Sequence, residues 1–274
     1  MTTPITLSLR AAPTFAIDLS PLCAVAEKNT DPTRIADLRL GYGNRNVRLG
    51  DLFDVYGTDS THIHIRNSCA ALHGIGAGMT SGRIDVDGDA GDYLGLGQRG
   101  GHITVHGNVG NFAACGLRNG RIDIHGNCGD YAGAPRTGEM QGMRGGILCI
   151  HGNVGDRVGD RLRRGLIVVS GDAGAYGGIR MIAGTILIMG RTGPYVGHAM
   201  RRGTLILAQP PDPLPAAWVD CGTHELVFLR LFWPALRDID ADIARTLEFT
   251  SRSRRYCGDL SGIGRAEILV PSRH

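Results

Sequence analysis

Apolar and polar residues alternate in short runs that end at glycine, and these runs recur through the middle of the chain. The segment Gly82-Arg83-Ile84-Asp85-Val86-Asp87-Gly88 returns with leading glycines at Gly101, Gly120, Gly146, Gly165 and Gly184, and in a frayed copy at Gly203. The intervals are 19, 19, 26, 19, 19 and 19 residues, so one period holds and the third unit carries seven extra residues. Alternation at period 2 predicts a short strand with one buried face, Ile84 and Val86 pointing inward. A single strand of this length cannot bury a core, but stacked copies can, so the fixed period predicts a solenoid.

The expected fold is therefore all-β: a right-handed parallel β-helix of about 19-residue coils, with N-terminal extended segments and a C-terminal, partly helical cap. At about 4.8 Å per coil the rod would be on the order of 35 Å long. Each strand is followed by a second glycine, as in Gly107/Gly110 and Gly126/Gly129, which predicts a corner needing positive φ or close approach between coils. Further along the unit stand an aromatic (Tyr93, Phe112, Tyr131, Tyr176, Tyr195, with Arg157 in the fourth unit) and a Leu or Met (Leu117, Met143, Leu162, Met181, Met200). Both sites are expected to face inward. The outward strand position changes from Asp85, Thr104 and Asp123 to Cys149, Val168, Leu187 and Ile206, an apolar face that residues 224–248 or a partner should cover.

The flanks divide the chain into an N-terminal extended segment (1–46), the rod (47–208) and a C-terminal cap or partner-binding arm (209–274). Ile5 to Leu9 and Phe15 to Leu19 read as extended, Thr33 to Leu38 as a short helix, and Val47 to Val55 and His62 to Ile65 as irregular first coils, since Ile63 and Ile65 stand 21 residues before Ile84 and Val86. The proline run from Pro210 to Pro215 ends the ladder, residues 224–248 read as one or two helices, and Glu267 to Val270 as a strand.

Composition narrows the function. A net charge of +3 over 274 residues is too mild to argue for nucleic acid. Seven cysteines without a CxxC pair suggest neither a zinc ribbon nor a disulfide framework. A signal sequence and a membrane-length apolar run are both absent, so a cytoplasmic location is expected.

Three columns of polar residues are candidates for chemistry. His106, His125 and His151 recur at one coil position after Asp87, and Asn108, Asn127 and Asn153 follow at another, between Asp89 and Asp172. Parallel rungs hold side chains apart, so the histidines read as a structural stack and the asparagines as a corner ladder, with no metal site assigned. The third column is Arg99, Arg118, Arg144, Arg163 and Arg201, each two residues before a leading glycine and interrupted by Ile182. Like charges this close need solvation or anions, which points either to a solvated corner or to a carboxylate-rich partner or ligand. Asp85 and Asp123 share a face, so a carbohydrate-active β-helix enzyme is conceivable, but no nucleophile and base come together in the sequence and no catalytic residue is assigned.

These coils, together with Leu49-Gly-Asp-Leu-Phe-Asp-Val55, Met143-Arg-Gly-Gly146, Met200-Arg-Arg-Gly-Thr204 and the tail Gly258-Asp-Leu260, resemble the C subunit of formylmethanofuran dehydrogenase over most of the chain. The β-helix of glutamate synthase has a similar coil motif, so an amidotransferase spacer domain is the alternative. Chain length, Asp18-Leu-Ser-Pro21 and the tail favour the dehydrogenase family, and the near-exclusive use of arginine, with Lys28 the only lysine, suggests its bacterial formyltransferase/hydrolase version. The resemblance implies a scaffold protein, itself non-catalytic, in one-carbon metabolism from formaldehyde to formate. Its partners would be amidohydrolase-like and formyltransferase chains, and the complex would handle a methanofuran-type cofactor that this chain does not itself hold. Because such cofactors bear glutamyl chains, the resemblance also offers a ligand for the arginine column.

Overall fold

A computed structural model describes residues 3–27, 31–239 and 249–273. The chain opens with strands β1 (Pro4–Leu9) and β2 (Ile17–Asp18), helices α1 (Leu22–Ala26) and α2 (Pro32–Ala36), and the hairpin β3 (Arg39–Tyr42) and β4 (Arg45–Arg48). It continues through α3 (Leu49–Leu52), β5 (Phe53–Tyr56), β6 (Asp59–Ser68) and β7 (Leu72–His73). The repeat supplies β8 (Arg83–Gly88), β9 (His102–Val105), β10 (Arg121–Ile124), β11 (Arg144–Ile150), β12 (Arg164–Val169), β13 (Thr185–Ile188) and β14 (Arg202–Leu207). Beyond it lie β15 (Val219–Glu225), α4 (Leu229–Ile239), β16 (Phe249–Gly258) and β17 (Arg265–Arg273).

The protein is all-β in character, with short helices and one 13-stranded, mainly parallel sheet beside a four-stranded one. In the large sheet each repeat strand pairs parallel with the next in a fixed register. Ile84, Ile103, Ile122, Leu148, Ile167, Ile186 and Leu205 form one fully buried column. A second ladder joins Ala90, Val109, Cys128, Val154, Ala173 and Thr192 by single bridges. On a third side, Gly95, Ala114, Gly133, Gly159 and Gly178 donate backbone N–H groups to Ile75, Leu94, Ala113, Ala132 and Val158 of the preceding unit. The predicted Leu/Met column lies inside, with Leu117, Met143, Leu162 and Met181 inaccessible to solvent and Met200 1% exposed.

Two glycine types do different work. Gly120 has φ +96, a conformation that a side chain disfavours, and it stands immediately before β10. At Gly126 the limit is space, because an added Cβ would sit 2.5 Å from the carbonyl oxygen of Gly107 in the preceding unit. Adjacent units approach too closely there for any side chain.

Both ends of the column are closed by distant segments. Strand β1 pairs parallel with β6, placing Ile5 beside Ile63 and Leu7 beside Ile65, and β17 pairs parallel with β14, placing Ile268 beside Leu205. Val47 lies in β4, hairpinned to Leu40, and the chain passes through α3 and the antiparallel β5 before it enters the stack. The segment from Val47 to Val55 is thus not an irregular coil: its strands pair antiparallel to N-terminal neighbours, because β1 already occupies the edge position beside β6.

The apolar outer face is covered as its composition requires. Cys149, Val168, Leu187 and Ile206 form one cluster with Leu229, Trp233 and Leu236 of α4. Of the segment 224–248 expected to be helical, His224 and Glu225 instead end strand β15, Leu229–Ile239 form α4, and residues 240–248, including Ile243 and Leu247, lie outside the described residues.

The aromatic column does not face inward as its fixed place in each unit predicts. Tyr93, Phe112, Tyr131, Tyr176 and Tyr195 adopt φ of 60 to 63, and their side chains are half-buried or exposed rather than part of the core. Their rings stack along the surface, with centroids 5.0 Å apart for Tyr93 and Phe112, 4.9 Å for Phe112 and Tyr131 and 4.8 Å for Tyr176 and Tyr195. Arg157, which breaks the pattern in sequence, fills the gap in space: its guanidinium lies 5.6 Å from the Tyr131 ring and 5.2 Å from the Tyr176 ring. Stacking and cation–π attraction replace burial as the reason for the pattern.

Candidate functional site

The arginine column forms as its spacing predicts. Arg99, Arg118, Arg144, Arg163 and Arg201 each donate a backbone N–H to the carbonyl of the Met, Gln or Leu rung residue one unit earlier, and Ile182 takes the same place in the row. Position in the unit therefore fixes the main chain and leaves the guanidinium on the outside. Arg99, Arg118, Arg163 and Arg201 are exposed, whereas Arg144 is half-buried and bonded at 2.6 Å to Glu139 of the seven-residue insertion.

The column is continuous in backbone but not one site in side chains. Arg163 and Arg201 line a groove of about 520 Å³ together with Arg164, Arg202, Ile182, Ala183 and Ile263. Arg99 and Arg118 lie outside that groove. Spacing alone does not single out Arg164 and Arg202, although the doublets Arg163-Arg164 and Arg201-Arg202, two units apart, carry the signal.

The other two columns are internal fastenings. His106, His125 and His151 stack with centroids 5.2 and 4.8 Å apart and rings within 8° of parallel. Asn108 Oδ1 accepts from the Asn127 backbone N–H at 2.9 Å, Asn127 from Asn153 at 2.8 Å, and Asn153 from Asp172 at 2.8 Å. A second ladder, which the sequence pattern did not single out, runs through Asp92, Asn111, Asp130 and Asp156 with N–H to Oδ1 distances of 2.7 to 2.8 Å. Each side chain satisfies a corner amide that the next unit would otherwise leave unpaired.

The outward carboxylates are tied down. Asp85 bonds to His62 at 2.7 Å and to Arg83, while buried Asp123 bonds to His102 at 2.5 Å and to Arg121 at 2.6 Å. Burial raises the Asp123 pKa, but the hydrogen bonds from His102 and Arg121 outweigh it and hold the carboxyl at about 2. Asp85 is lowered for the same reason, with burial opposed by Arg83 and His62. Carboxylates fixed as anions suit ion pairing rather than proton donation near neutral pH. Burial pushes the Cys23, Cys115 and Cys128 thiols up to about 12, which keeps them protonated and poor nucleophiles. Among the described residues no group of three or more His, Cys, Asp or Glu side chains is placed to hold a metal ion.

No family model matches this sequence. The Fhc C subunit of the formyltransferase/hydrolase complex of Methylorubrum extorquens is 49% identical over 267 residues, covering 97% of this chain and 99% of that protein. The C subunit of tungsten-containing formylmethanofuran dehydrogenase 2 of Methanococcus maripaludis is 31% identical over 90 residues, 32% of this chain and 33% of that one. A chain in the X-ray crystal structure of the formyltransferase/hydrolase complex (FhcABCD) from Methylorubrum extorquens, in complex with methylofuran, matches with a TM-score of 0.88 at 39% identity. That alignment covers 98% of this chain and 100% of the other.

Proposed function

This chain belongs to the Fhc C-subunit family of formyltransferase/hydrolase complexes, and on that premise we propose that it is the scaffold of such a complex. In this reading formyl transfer and hydrolysis, on the route from formaldehyde to formate, are carried by amidohydrolase-like and formyltransferase chains that assemble on it. The observation that supports it most is the end-to-end match at 49% identity, which includes the segments outside the coils. A glutamate-synthase-type spacer would share the coils alone, so that alternative is not favoured.

The stacked units from β6 onward, inside the stretch 47–208, are read as a right-handed parallel β-helix, flanked by an N-terminal segment (1–46) and a C-terminal arm (209–274). The three inter-unit ladders and the 19-residue register support this. The setting is cytoplasmic, in keeping with the absence, among the described residues, of a helix long and apolar enough to cross a membrane.

Arg99, Arg118, Arg144, Arg163 and Arg201 are proposed to meet carboxylates, either of an acidic partner surface or of the glutamyl chain of a methanofuran-type cofactor handled by the complex. The chemistry of the exposed members fits, since guanidinium groups without an internal carboxylate are suited to oxygen anions. Co-expression with the other members of the complex tests the function: the chain should co-purify with formyltransferase/hydrolase activity and not elute alone.

A further inference from the structure

We propose that Cys221 and Cys257 form a thiol–disulfide exchange site, which small disulfides such as oxidised glutathione convert into a reversible internal disulfide across strands β15 and β16.

Position is the first argument. Strand β15 is an edge strand of the large sheet, exposed along its whole length and paired to β16. The antiparallel register sets Val219 opposite Cys257 and Asp220 opposite Tyr256, then slips, so that Cys221 and Gly222 together face Arg255 before Thr223 meets Arg254. Gly222 takes φ +82 in this bulge. The Cys221 thiol turns back along its strand and donates to the carbonyl oxygen of Val219 at 3.6 Å, beside the residue that Cys257 opposes. The two thiols are in hydrogen-bond contact. Joining them at the S–S length of about 2 Å needs a small backbone shift. A bulged strand at a sheet edge supplies it.

Exposure selects this pair from the seven free cysteines. Cys23, Cys115, Cys128 and Cys149 are buried, Cys69 packs against the main core, and Cys221 alone is exposed. Burial and the hydrogen bond with Cys221 raise the Cys257 thiol above its usual range, against the opposing charge of Arg255. Cys221 is therefore the entering thiol and Cys257 the resolving one. The Cys221 thiolate attacks one sulfur of the small disulfide, forming a mixed disulfide and expelling one thiolate. The Cys257 thiolate then attacks the Cys221 sulfur, which forms the internal disulfide and expels the second. Two protein thiols are oxidised, one small disulfide is reduced to two thiols, and the protons leave with those thiols.

The bond closes residues 222–256 into a loop. That loop carries α4, whose Leu229, Trp233 and Leu236 cover Val168, Leu187 and Ile206. Oxidation thus tethers both ends of the segment that bears the cover, while a reducing compartment keeps the thiols open.

The test incubates the full chain with oxidised glutathione at neutral pH, quenches with acid, alkylates the remaining thiols and maps the peptides by mass spectrometry. Wild type should lose two thiols, gain a cross-linked Cys221–Cys257 peptide, retain no glutathione and revert fully with dithiothreitol. C257S should hold glutathione at Cys221, and C221S should take it up at Cys257 about tenfold more slowly. The oxidised wild type should melt about 5 °C higher than the reduced protein, and neither serine variant should show that rise. Wild type that keeps glutathione on Cys221, or links to a second chain through it, overturns the exchange site without any variant being needed. A cross-linked protein that melts like the reduced one overturns the tethering.

Discussion

The side-chain oxygen of Asn127 accepts a hydrogen bond from the backbone N–H of Asn153 at 2.8 Å, although 26 residues separate them where every neighbouring step in the ladder spans 19. The extra seven residues are therefore extruded without loss of register. Ala134 occupies the place of Cys115, and Met143 that of Leu117, so residues 135–141 form the excursion.

Deleting residues 135–141 should restore a 19-residue unit and leave a folded protein. The main losses are the Arg144 to Glu139 ion pair and the Arg161 to Met140 contact, both partly exposed, so denaturant unfolding should change by no more than about 1 kcal/mol. An insoluble or molten deletion variant would show that the insertion is part of the core.

Gly126→Val should be costly. Its Cβ would stand 2.5 Å from a backbone oxygen that cannot move without opening the ladder, and a loss of about 3 kcal/mol is expected in equilibrium unfolding. A variant that melts like the parent would contradict the inter-unit approach at this corner.

Asp123 gives a pH signature. Its folded pKa, at about 2, lies below the ordinary carboxylate value near 4, so its contribution is fully present above about pH 4 and is lost as pH falls toward 2. The amount is about 2 kcal/mol for this nearly buried group. Asp123→Asn should therefore be less stable near neutral pH by at least that amount and show a flatter acid limb between pH 4 and 2. An unchanged acid limb in the variant would remove Asp123 from the account of acid sensitivity.

Much of this fold is legible in the sequence because one physical requirement repeats. Ile84, Ile103 and Ile122 must be apolar at period 2, and Gly107 and Gly126 must be small where units touch. The outward change from Asp123 to Cys149, Val168 and Leu187 likewise predicts the cover that α4 supplies through Leu229, Trp233 and Leu236. What the pattern does not convey is long-range closure: Ile5 reaches Ile63 and Ile268 reaches Leu205 across intervals unrelated to the period. Nor does hydrophobicity reveal that Tyr93 and Phe112 stack on the surface, since an aromatic at a fixed place in each unit reads the same as a buried rung. At the candidate site the column could be read from spacing, but the neutralisation of Arg144 by Glu139 needed the path of the insertion.

Trp233→Ala isolates the cover from strand β17, which any truncation of the tail would also remove. Loss of about 3–5 kcal/mol, or partial release of α4, should accompany increased binding of an apolar dye at the Val168, Leu187 and Ile206 face. Wild-type dye binding and stability would mean that the helix is not what shields this face.

The scaffold role is tested most directly by reconstituting the formyltransferase/hydrolase complex with and without this chain, then measuring assembly by size-exclusion chromatography and light scattering alongside formyl transfer and hydrolysis. The account predicts that the chain alone is inactive, that it co-elutes with the other members of the complex, and that omitting it disrupts assembly and coupled activity. A complete, fully active assembly formed without it, or formyl-handling activity in the isolated chain, would contradict the account.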